Sequence, residues 1–324
     1  MAAAPRMRMA LAGTAFACLA LVTACTTASA PGPALAGQLG APAGTGPSPG
    51  VALSVAEAPG YTVYRPLVLP PEPMPVVLWG NGACRDNGLS ASHFLREIAS
   101  HGYLVIANGR PASERPPLAE LPAPEAAPEQ AGAPPMPPPQ RVADETSVAQ
   151  YLAGIDLAVS LNTAADGPLA RAIDTSRVAA LGHSCGGLQA LAAGADPRIG
   201  VVMALASGVY VRQDGARSGV TIAKDDLLRL HTPVAYLLGG PSDISWPNGT
   251  DDYARIDHVP ALLASLPVGH GGTFALVNGG AWATFATDWL DWQLKGDVGA
   301  QARILSADCP YCDADGWSVA AKNW

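Results

Sequence analysis

The chain has 324 residues, of which 49% are hydrophobic and only 14% are charged, and its formal net charge is -8. This composition is far from that of a disordered chain and is sufficient for a large buried core. The negative charge, together with the lack of any lysine or arginine cluster interleaved with aromatic residues, argues against nucleic acid as a partner.

The N-terminal segment has the layout of an export signal. Arg6 and Arg8 precede an apolar run over residues 9–22, and small residues follow it. The run is too short to span a membrane comfortably. We therefore predict that the protein is exported.

The end of this run resembles a bacterial lipobox, with the sequence LVTAC. Residues 1–25 are accordingly predicted to be a signal peptide with a lipobox whose Cys25 is lipidated. The alternative is ordinary cleavage after Ala30 or Ala36, in which case Cys25 is one more small residue of the signal. An extracytoplasmic protein is expected in both cases, either secreted or anchored to the cell envelope by a lipid.

The cysteine count fits an oxidising compartment. Beyond the signal there are four cysteines, an even number that predicts two disulfides: Cys84, Cys185, Cys309 and Cys312. The last two form the sequence CPYC, but a thioredoxin-like motif needs a strand before it and a helix after it, whereas this one lies in a polar tail. A structural disulfide is favoured. No metal site is predicted, because a zinc site would need a second ligand pair with suitable spacing.

The first predicted elements follow a flexible linker. Residues 26–58 are rich in alanine, glycine and proline and nearly uncharged, which is typical of a tether. A folded domain is predicted over residues 59–324. It opens with the strands YTVYRPLVL and MPVVLWGNG, continues with the helix HFLREIASHG and adds a short strand, YLVIANG.

Residues 110–142 interrupt this alternation. They are dense in proline, alanine and glutamate. Such a stretch can neither pair as a central strand nor bury enough apolar area to fold alone. We predict a disordered or polyproline-like insertion within the domain.

Strands and helices alternate again after the insertion. ETSVAQYLAGIDLAVSLNTA has apolar residues at three- and four-residue spacing and is predicted to be a helix. RVAALGHS, IGVVMALASG and PVAYLLGG are predicted to be strands, CGGLQALAAG a helix and KDDLLRLH a helical turn. Apolar strands that alternate with helices are typical of a parallel sheet covered on both faces. The fold class is therefore predicted to be α/β, with a mostly parallel sheet and helices on both faces.

Gly182, Ser184 and Gly186 form the pattern GxSxG between a predicted strand and a predicted helix. The pattern alone is common, and a tight turn whose serine caps a helix is the alternative interpretation. The flanking elements are those of a nucleophile elbow, a sharp turn that exposes the serine and needs glycine where a side chain would clash. Ser184 is the candidate nucleophile. Its neighbour His183 is not expected to be the base, since adjacent residues on the elbow point apart.

A nucleophilic serine needs a base to take its proton and an acid to hold that base. On this fold the chain order is serine, acid, histidine. His270 lies in a glycine loop after an apolar stretch and is the candidate base. His231 precedes a strand, at the wrong edge of the sheet, and His258 lies too near the loop that carries the acid.

Asp243 is the candidate acid, three residues after the double glycine that ends the strand PVAYLLGG. A short path from the strand end holds a carboxylate best. Asp251 and Asp252 are alternatives further along the same loop. Each of these aspartates could instead be a turn residue.

The oxyanion of an acyl-transfer intermediate needs two amide donors. Cys185, at the start of the helix after the nucleophile, is predicted to supply one. Asn81, in the loop after the strand PVVLWG, is predicted to supply the other, with Gly82 as the alternative. If these two loops meet over the oxyanion, Cys84 approaches Cys185. We therefore expect a disulfide between them, with the two C-terminal cysteines forming the second.

Several segments resemble a known family of secreted bacterial and fungal α/β-hydrolases, related to dienelactone hydrolases, chlorophyllases and cutinase-like polyester hydrolases. The similar segments are WGNGAC, EIASHGYLVIANG, GHSCGGLQAL, HTPVAYLLGGPSDI, GHGGTF and WLDWQLKGD. The resemblance runs from about residue 61 to the C-terminus and implies an α/β-hydrolase fold with a sheet of about eight strands. It also implies a triad of Ser184, Asp243 and His270 and esterase chemistry without a cofactor. Trp79, where many relatives have histidine, and the proline-rich insertion depart from the family pattern.

These observations lead to the hypothesis of an extracytoplasmic serine hydrolase. It would cleave a small-molecule or polymeric carboxylic ester through an acyl-enzyme. An acyltransferase on the same fold, in which an alcohol replaces water, is one alternative. A non-catalytic surface lipoprotein that kept the fold is another, since fold and motif alone do not prove activity.

Overall fold

A computed structural model describes residues 1–2, 35–121, 145–211, 220–312 and 316–324 of the chain. The predicted signal peptide beyond its first two residues, with Cys25 and the predicted lipobox, lies outside the described residues. So do the first part of the predicted linker and residues 122–142 of the predicted insertion. Within the described residues, no helix has both the length and the apolar character needed to cross a membrane.

The described residues contain ten strands and six α-helices. The strands are β1 (Leu35–Ala43), β2 (Gly50–Val55), β3 (Tyr61–Pro66), β4 (Met74–Gly80), β5 (Leu104–Asn108), β6 (Ile173–His183), β7 (Val201–Leu205), β8 (Val234–Leu238), β9 (Ala261–Ser265) and β10 (Ser318–Lys322). The helices are α1 (Ser92–Ser100), α2 (Val148–Thr163), α3 (Cys185–Ala193), α4 (Trp246–Arg255), α5 (Gly280–Lys295) and α6 (Val298–Leu305). Short 3₁₀ turns span Gly82–Cys84, Lys224–Arg229 and Val277–Gly279.

All ten strands form one sheet, in the order β1-β2-β3-β5-β4-β6-β7-β8-β9-β10. The six strands from β5 to β9 in this order pair in parallel, and the outer strands pair antiparallel. The predicted α/β class and the mostly parallel sheet are confirmed. The sheet has ten strands where about eight were predicted, because antiparallel strands extend both edges.

Helices cover both faces of the sheet, as predicted. Alternate residues of a strand point to opposite faces. In β4, Val77 and Trp79 pack in one hydrophobic cluster with α1, α5 and α6, whereas Val76 and Leu78 pack in the other with α2 and α3. Burial on both faces explains why this strand is continuously apolar.

The predicted linker is wrong for residues 35–58, which contain β1 and β2. Val51 and Val55 are almost completely buried, and β2 pairs with β3 along its length. The glycines in this segment allow close packing: a Cβ on Gly50 would lie 2.2 Å from the carbonyl oxygen of Arg96 in α1. Glycine here permits the close approach of a helix and a strand, a use that composition does not distinguish from chain flexibility.

The first part of the predicted insertion is also packed against the domain, so the prediction of disorder is wrong for residues 110–121. The carboxylate of Glu114 forms an ion pair with the guanidinium of Arg96 in α1. The amide of Leu118 donates to the carbonyl of Ala275 at 2.8 Å, and the amide of Val277 donates to the carbonyl of Leu118 at 3.1 Å. Interactions with residues far along the chain therefore hold this proline-rich segment.

Candidate active site

Ser184 lies at the sharp turn between β6 and α3. Its backbone has φ 53° and ψ -118°, a strained conformation that costs a non-glycine residue about 1–3 kcal/mol. The flanking glycines are needed because a Cβ on Gly182 would lie 2.2 Å from the carbonyl oxygen of Gly186, and a Cβ on Gly186 would lie 2.1 Å from that of Gly80. The turn therefore has the tight, strained geometry that describes a nucleophile elbow.

The structure brings together the three predicted triad residues. The Oγ of Ser184 lies 3.0 Å from Nε2 of His270, and Nδ1 of His270 lies 2.7 Å from Oδ1 of Asp243. Asp243 is buried in the turn after β8, where its carboxylate accepts hydrogen bonds from the amides of Gly239 and Ser245, each at 2.9 Å. Ser184, His270 and Asp243 thus form one continuous line of hydrogen bonds.

The electrostatics of this line favour a charged acid. Burial opposes the ionisation of Asp243, but hydrogen bonds from His270, Ser245 and Gly239 stabilise the carboxylate, and the net effect lowers the pKa of Asp243. The ionised carboxylate of Asp243 accepts a hydrogen bond from the protonated Nδ1 of His270. Nε2 of His270 is then the nitrogen that can accept the proton of Ser184.

The alternative acids are engaged elsewhere. Nζ of Lys224 lies 2.7 Å from the carboxylate of Asp251 and 2.6 Å from that of Asp252. Asp252 is fully buried, and burial raises its pKa to about 6. Both carboxylates belong to a cluster around Lys224, and it is Asp243 whose carboxylate contacts His270.

The alternative histidines also lie outside the line. Nε2 of His258 is 3.0 Å from the carbonyl oxygen of Leu230, to which it can donate a hydrogen bond. His231 is exposed, close to the amino end of β8. His270 is therefore the histidine that contacts Ser184.

The structure shows where the predicted oxyanion donors Cys185 and Asn81, and the alternative Gly82, lie relative to Ser184. Cys185 is the first residue of α3, and amides in the first turn of a helix have no acceptor within that helix. At the turn after β4, Gly82 and Ala83 line the cavity beside Ser184. Asn81 does not line this cavity and is fully buried. Of the two, Gly82 is therefore the residue in contact with the cavity beside Ser184.

Asn81 instead organises the turn through its side chain. Its Oδ1 accepts hydrogen bonds from Nε1 of Trp79 and Oγ of Ser90, each at 3.0 Å, and its Nδ2 donates to the carbonyl of Asn108 at 2.9 Å. These bonds connect the turn to the end of β5 and to the segment before α1. Trp79 therefore contributes a hydrogen bond to the turn beside the site.

Both predicted disulfides are present, Cys84–Cys185 and Cys309–Cys312, each with its Cα atoms 5.2 Å apart. The first joins the turn after β4 to the first residue of α3, directly beside Ser184. The second closes a short loop between α6 and β10, where the neighbouring Tyr311 is buried and its hydroxyl donates to Asp288 at 2.6 Å. This C-terminal pair is a structural feature remote from the predicted triad in the sequence.

Two cavities meet at Ser184 and His270. We call the first, of about 480 Å³, the cationic cavity, because Arg85 and Arg115 line it and no acidic residue does so among the described residues. Neither arginine forms an ion pair within the described part of the chain. The cationic cavity is thus positively charged in a protein whose formal net charge is -8.

The second cavity, of about 530 Å³, lies on the side of α4 and the loop after β7. We call it the apolar cavity because most of its larger side chains are apolar: Leu188, Tyr210, Val211, Ile244 and Pro247. Ser184 and His270 thus lie between a positively charged space and an apolar one. A molecule with groups on both sides of a central carbonyl could occupy both spaces.

His183 contributes to the site in a way that the sequence did not reveal. Its Nε2 donates a hydrogen bond to the carbonyl of His270 at 2.9 Å, so it connects the elbow with the loop of the candidate base. A Cβ on Gly82 would lie 2.5 Å from Nδ1 of His183, which explains glycine at that position. Burial lowers the pKa of His183 to about 4, so the imidazole is neutral at neutral pH. The feature of the sequence that could have indicated this role is a polar residue at the end of a buried strand.

This pKa predicts a loss of stability in acid. An unfolded histidine has its ordinary pKa of 6.5, so between pH 6.5 and about 4 the unfolded chain binds a proton that the folded His183 does not. The free energy of unfolding therefore falls as the pH falls through this range. We expect the wild type to lose about 2 kcal/mol more than His183→Gln between pH 7 and pH 4.5.

Guanidinium unfolding curves at both pH values would measure the difference. His231→Gln is the matched control, since it replaces an exposed histidine with the same residue. Equal losses in the wild type and His183→Gln would contradict the expectation.

A scan against protein-family models gives no match for this chain, and a search of the curated proteins gives none either. Among the described residues, no group of three or more His, Cys, Asp or Glu side chains is arranged to hold a metal ion. The geometry of the site combines a strained serine, an oriented imidazole and a buried carboxylate beside two cavities.

Proposed function

We propose that the protein is a serine hydrolase with the α/β-hydrolase fold that cleaves carboxylic esters outside the cytoplasm. The observation that carries the proposal is the line of hydrogen bonds from Ser184 through His270 to Asp243. These groups can act as nucleophile, base and orienting acid. The family resemblance of the sequence and the six parallel central strands support the same proposal.

In the acylation step, Oγ of Ser184 attacks the carbonyl carbon of the ester while Nε2 of His270 takes the hydroxyl proton. The negative charge that develops on the carbonyl oxygen is stabilised by the amides of Cys185 and Gly82. Asp243 stabilises the imidazolium of His270. When the tetrahedral intermediate collapses, the carbon–oxygen bond to the alcohol breaks and His270 protonates the departing alcohol, which leaves the acyl group on Ser184.

In the deacylation step, water replaces the alcohol. Nε2 of His270 removes a proton from the water, whose oxygen attacks the acyl carbon, and the same two amides stabilise the second oxyanion. Collapse releases the carboxylic acid and returns the proton to Ser184. If another alcohol attacked in place of water, the protein would be an acyltransferase, which is the second proposal on the same geometry.

Export is part of the proposal. Two disulfides fit an oxidising compartment, where such bonds persist. Lipidation of Cys25 would anchor the enzyme to a membrane, although a single lipidated residue holds firmly only when it carries more than one chain. The active site would then face substrates outside the cytoplasm.

The test is turnover of p-nitrophenyl esters of graded chain length, followed by product analysis with and without an added alcohol. The informative pair is p-nitrophenyl hexanoate and the p-nitrophenyl half-ester of adipic acid, which differ by a terminal carboxylate. Because Arg85 and Arg115 line the cationic cavity, we expect the half-ester to have the higher kcat/KM, by about tenfold. Arg85→Gln with Arg115→Gln should remove this preference.

One control variant and two further outcomes make the result decisive. Arg229→Gln removes one arginine charge from an exposed position on the Lys224–Arg229 turn, away from the cavity, and should keep the preference. A new ester formed from the added alcohol would indicate acyl transfer. No turnover of any ester, with Ser184 unlabelled by a fluorophosphonate, would refute the enzymatic proposal and favour the non-catalytic lipoprotein.

A further inference from the structure

The Cys84–Cys185 disulfide joins the two segments that carry the proposed oxyanion amides. Cys84 ends the turn that begins with Gly82, and Cys185 itself supplies the second amide at the start of α3. One cysteine of the disulfide, Cys84, is two residues from the proposed donor Gly82, and the other, Cys185, is itself the second proposed donor. An oxyanion site works only when its donors are held at a fixed position before the reaction begins.

The backbone of both segments is strained. Ala83 has φ 56° and Cys84 has φ 48° on one side of the disulfide, and Ser184 has φ 53° on the other. Non-glycine residues adopt positive φ only rarely, and they remain there only where surrounding contacts enforce it. Of seven such residues in the described part of the chain, three lie on these two segments. Contacts with the surrounding structure must therefore hold Ala83, Cys84 and Ser184 in these conformations.

Hydrogen bonds also attach the turn to the rest of the domain. The amide and the hydroxyl of Thr146 both donate to the carbonyl of Cys84, at 2.8 and 3.0 Å. Nε2 of Gln189, in α3, donates to the carbonyl of Thr146 at 2.9 Å. Thr146 is thus a non-covalent link between the turn and α3. The turn should therefore stay attached without the disulfide, while its amides lose their direct connection to the elbow.

We propose that the Cys84–Cys185 disulfide holds the oxyanion amides in position. Efficient ester hydrolysis then depends on oxidation of the Cys84 and Cys185 thiols to this disulfide. This inference rests on the proposed function. The bond forms by thiol–disulfide exchange: the two cysteine thiols become one disulfide, and an external protein or small-molecule disulfide becomes two thiols. The chain would be poorly active while reduced and would become fully active in an oxidising compartment.

The first experiment compares two double variants by steady-state kinetics on p-nitrophenyl hexanoate. Cys84→Ala with Cys185→Ala should lower kcat by at least about tenfold, with KM within about twofold of the wild type, since the lost stabilisation acts mainly on the transition state. Cys309→Ala with Cys312→Ala is the matched control, because it also removes one disulfide. It should keep kcat within about twofold.

An alkyl boronic acid gives a second readout, because its tetrahedral adduct with a serine resembles the oxyanion intermediate. The first double variant should bind it at least about tenfold more weakly than the wild type, whereas the control should bind it with wild-type affinity. A role confined to global stability would lower the melting temperature and leave both kcat and boronate affinity unchanged in the protein that remains folded.

If the first double variant fails to fold, reduction of the wild type replaces it. A phosphine should lower kcat in proportion to the fraction of reduced Cys84 and Cys185, measured by alkylation and mass spectrometry, and reoxidation should restore it. A folded variant or a reduced enzyme with wild-type kcat would overturn the inference while leaving the hydrolase proposal intact. A wild type that hydrolyses no ester would instead refute the proposed function.

Discussion

Ser184→Ala is expected to lower kcat for a p-nitrophenyl ester by about 10⁴-fold or more, with the fold retained. The substitution removes the oxygen that lies 3.0 Å from Nε2 of His270 and that forms the acyl-enzyme. The oxyanion amides of the backbone remain, so a small residual rate above that of the uncatalysed reaction should persist. Alanine is close to serine in size, so the elbow should keep its shape.

The measurement is steady-state turnover, with circular dichroism to confirm the fold. Ser160→Ala is the matched control, because Ser160 is exposed on α2 and, within the described part of the chain, its hydroxyl donates only to the carbonyl of Asp156, at 2.9 Å. This control should have wild-type kcat. If Ser184→Ala kept more than about one hundredth of the wild-type rate, Ser184 would not be the nucleophile.

Asp243→Asn is expected to lower kcat by about 10³- to 10⁴-fold. The carboxylate accepts three hydrogen bonds: Oδ2 from the amide of Gly239, and Oδ1 from the amide of Ser245 and from His270. An asparagine has one oxygen and one NH₂ group in these places. If the NH₂ group faced His270, the imidazole would present the wrong tautomer to Ser184, and in either orientation the negative charge would be lost.

Asp251→Asn is the matched control for this substitution. Asp251 was one of the two alternative acids in the sequence, but its carboxylate pairs with Lys224 and Arg255 and not with His270. It should keep kcat within about twofold of the wild type. A larger loss in Asp251→Asn than in Asp243→Asn would mean that the active acid had been assigned to the wrong residue.

Local steric rules explain why much of the site could be predicted. The elbow was visible because glycine at 182 and 186 is required by clashes within a few residues, and the flanking strand and helix have clear apolar patterns. Chain order and strand ends then identified Asp243 and His270 as candidates. An even number of cysteines, with one next to the nucleophile, predicted the disulfides that the structure contains.

Other features could not be predicted, because they depend on contacts between distant residues. Residues 35–58 look like a tether in composition, yet β2 is buried beneath α1, about forty residues further along the chain. Leu118 is held by the segment around Val277 in the same way. The composition of a segment indicates how it behaves in isolation. These two segments are ordered by contacts with distant residues, which their composition does not indicate.

Two features of the site also depend on distant contacts and could not be predicted: the conformation of the turn Gly82–Cys84 and the role of His183. The residue of the turn after β4 that faces the cavity depends on the backbone angles of Ala83 and Cys84, which the disulfide and Thr146 hold. The contact of His183 with the carbonyl of His270 joins residues 87 positions apart. Neither feature leaves a pattern in the neighbouring sequence.

The α/β class, the parallel core and the elbow at Ser184 could be predicted from the sequence alone, because apolar periodicity and Cβ clashes act over a few residues. The sequence also narrowed the acid and the base to short sets of candidates. Which of these candidates contact one another is visible only in the folded chain. That Asp243 and not Asp252 contacts His270, that Gly82 and not Asn81 lines the cavity, and that the sheet has ten strands all depend on which distant segments pack together.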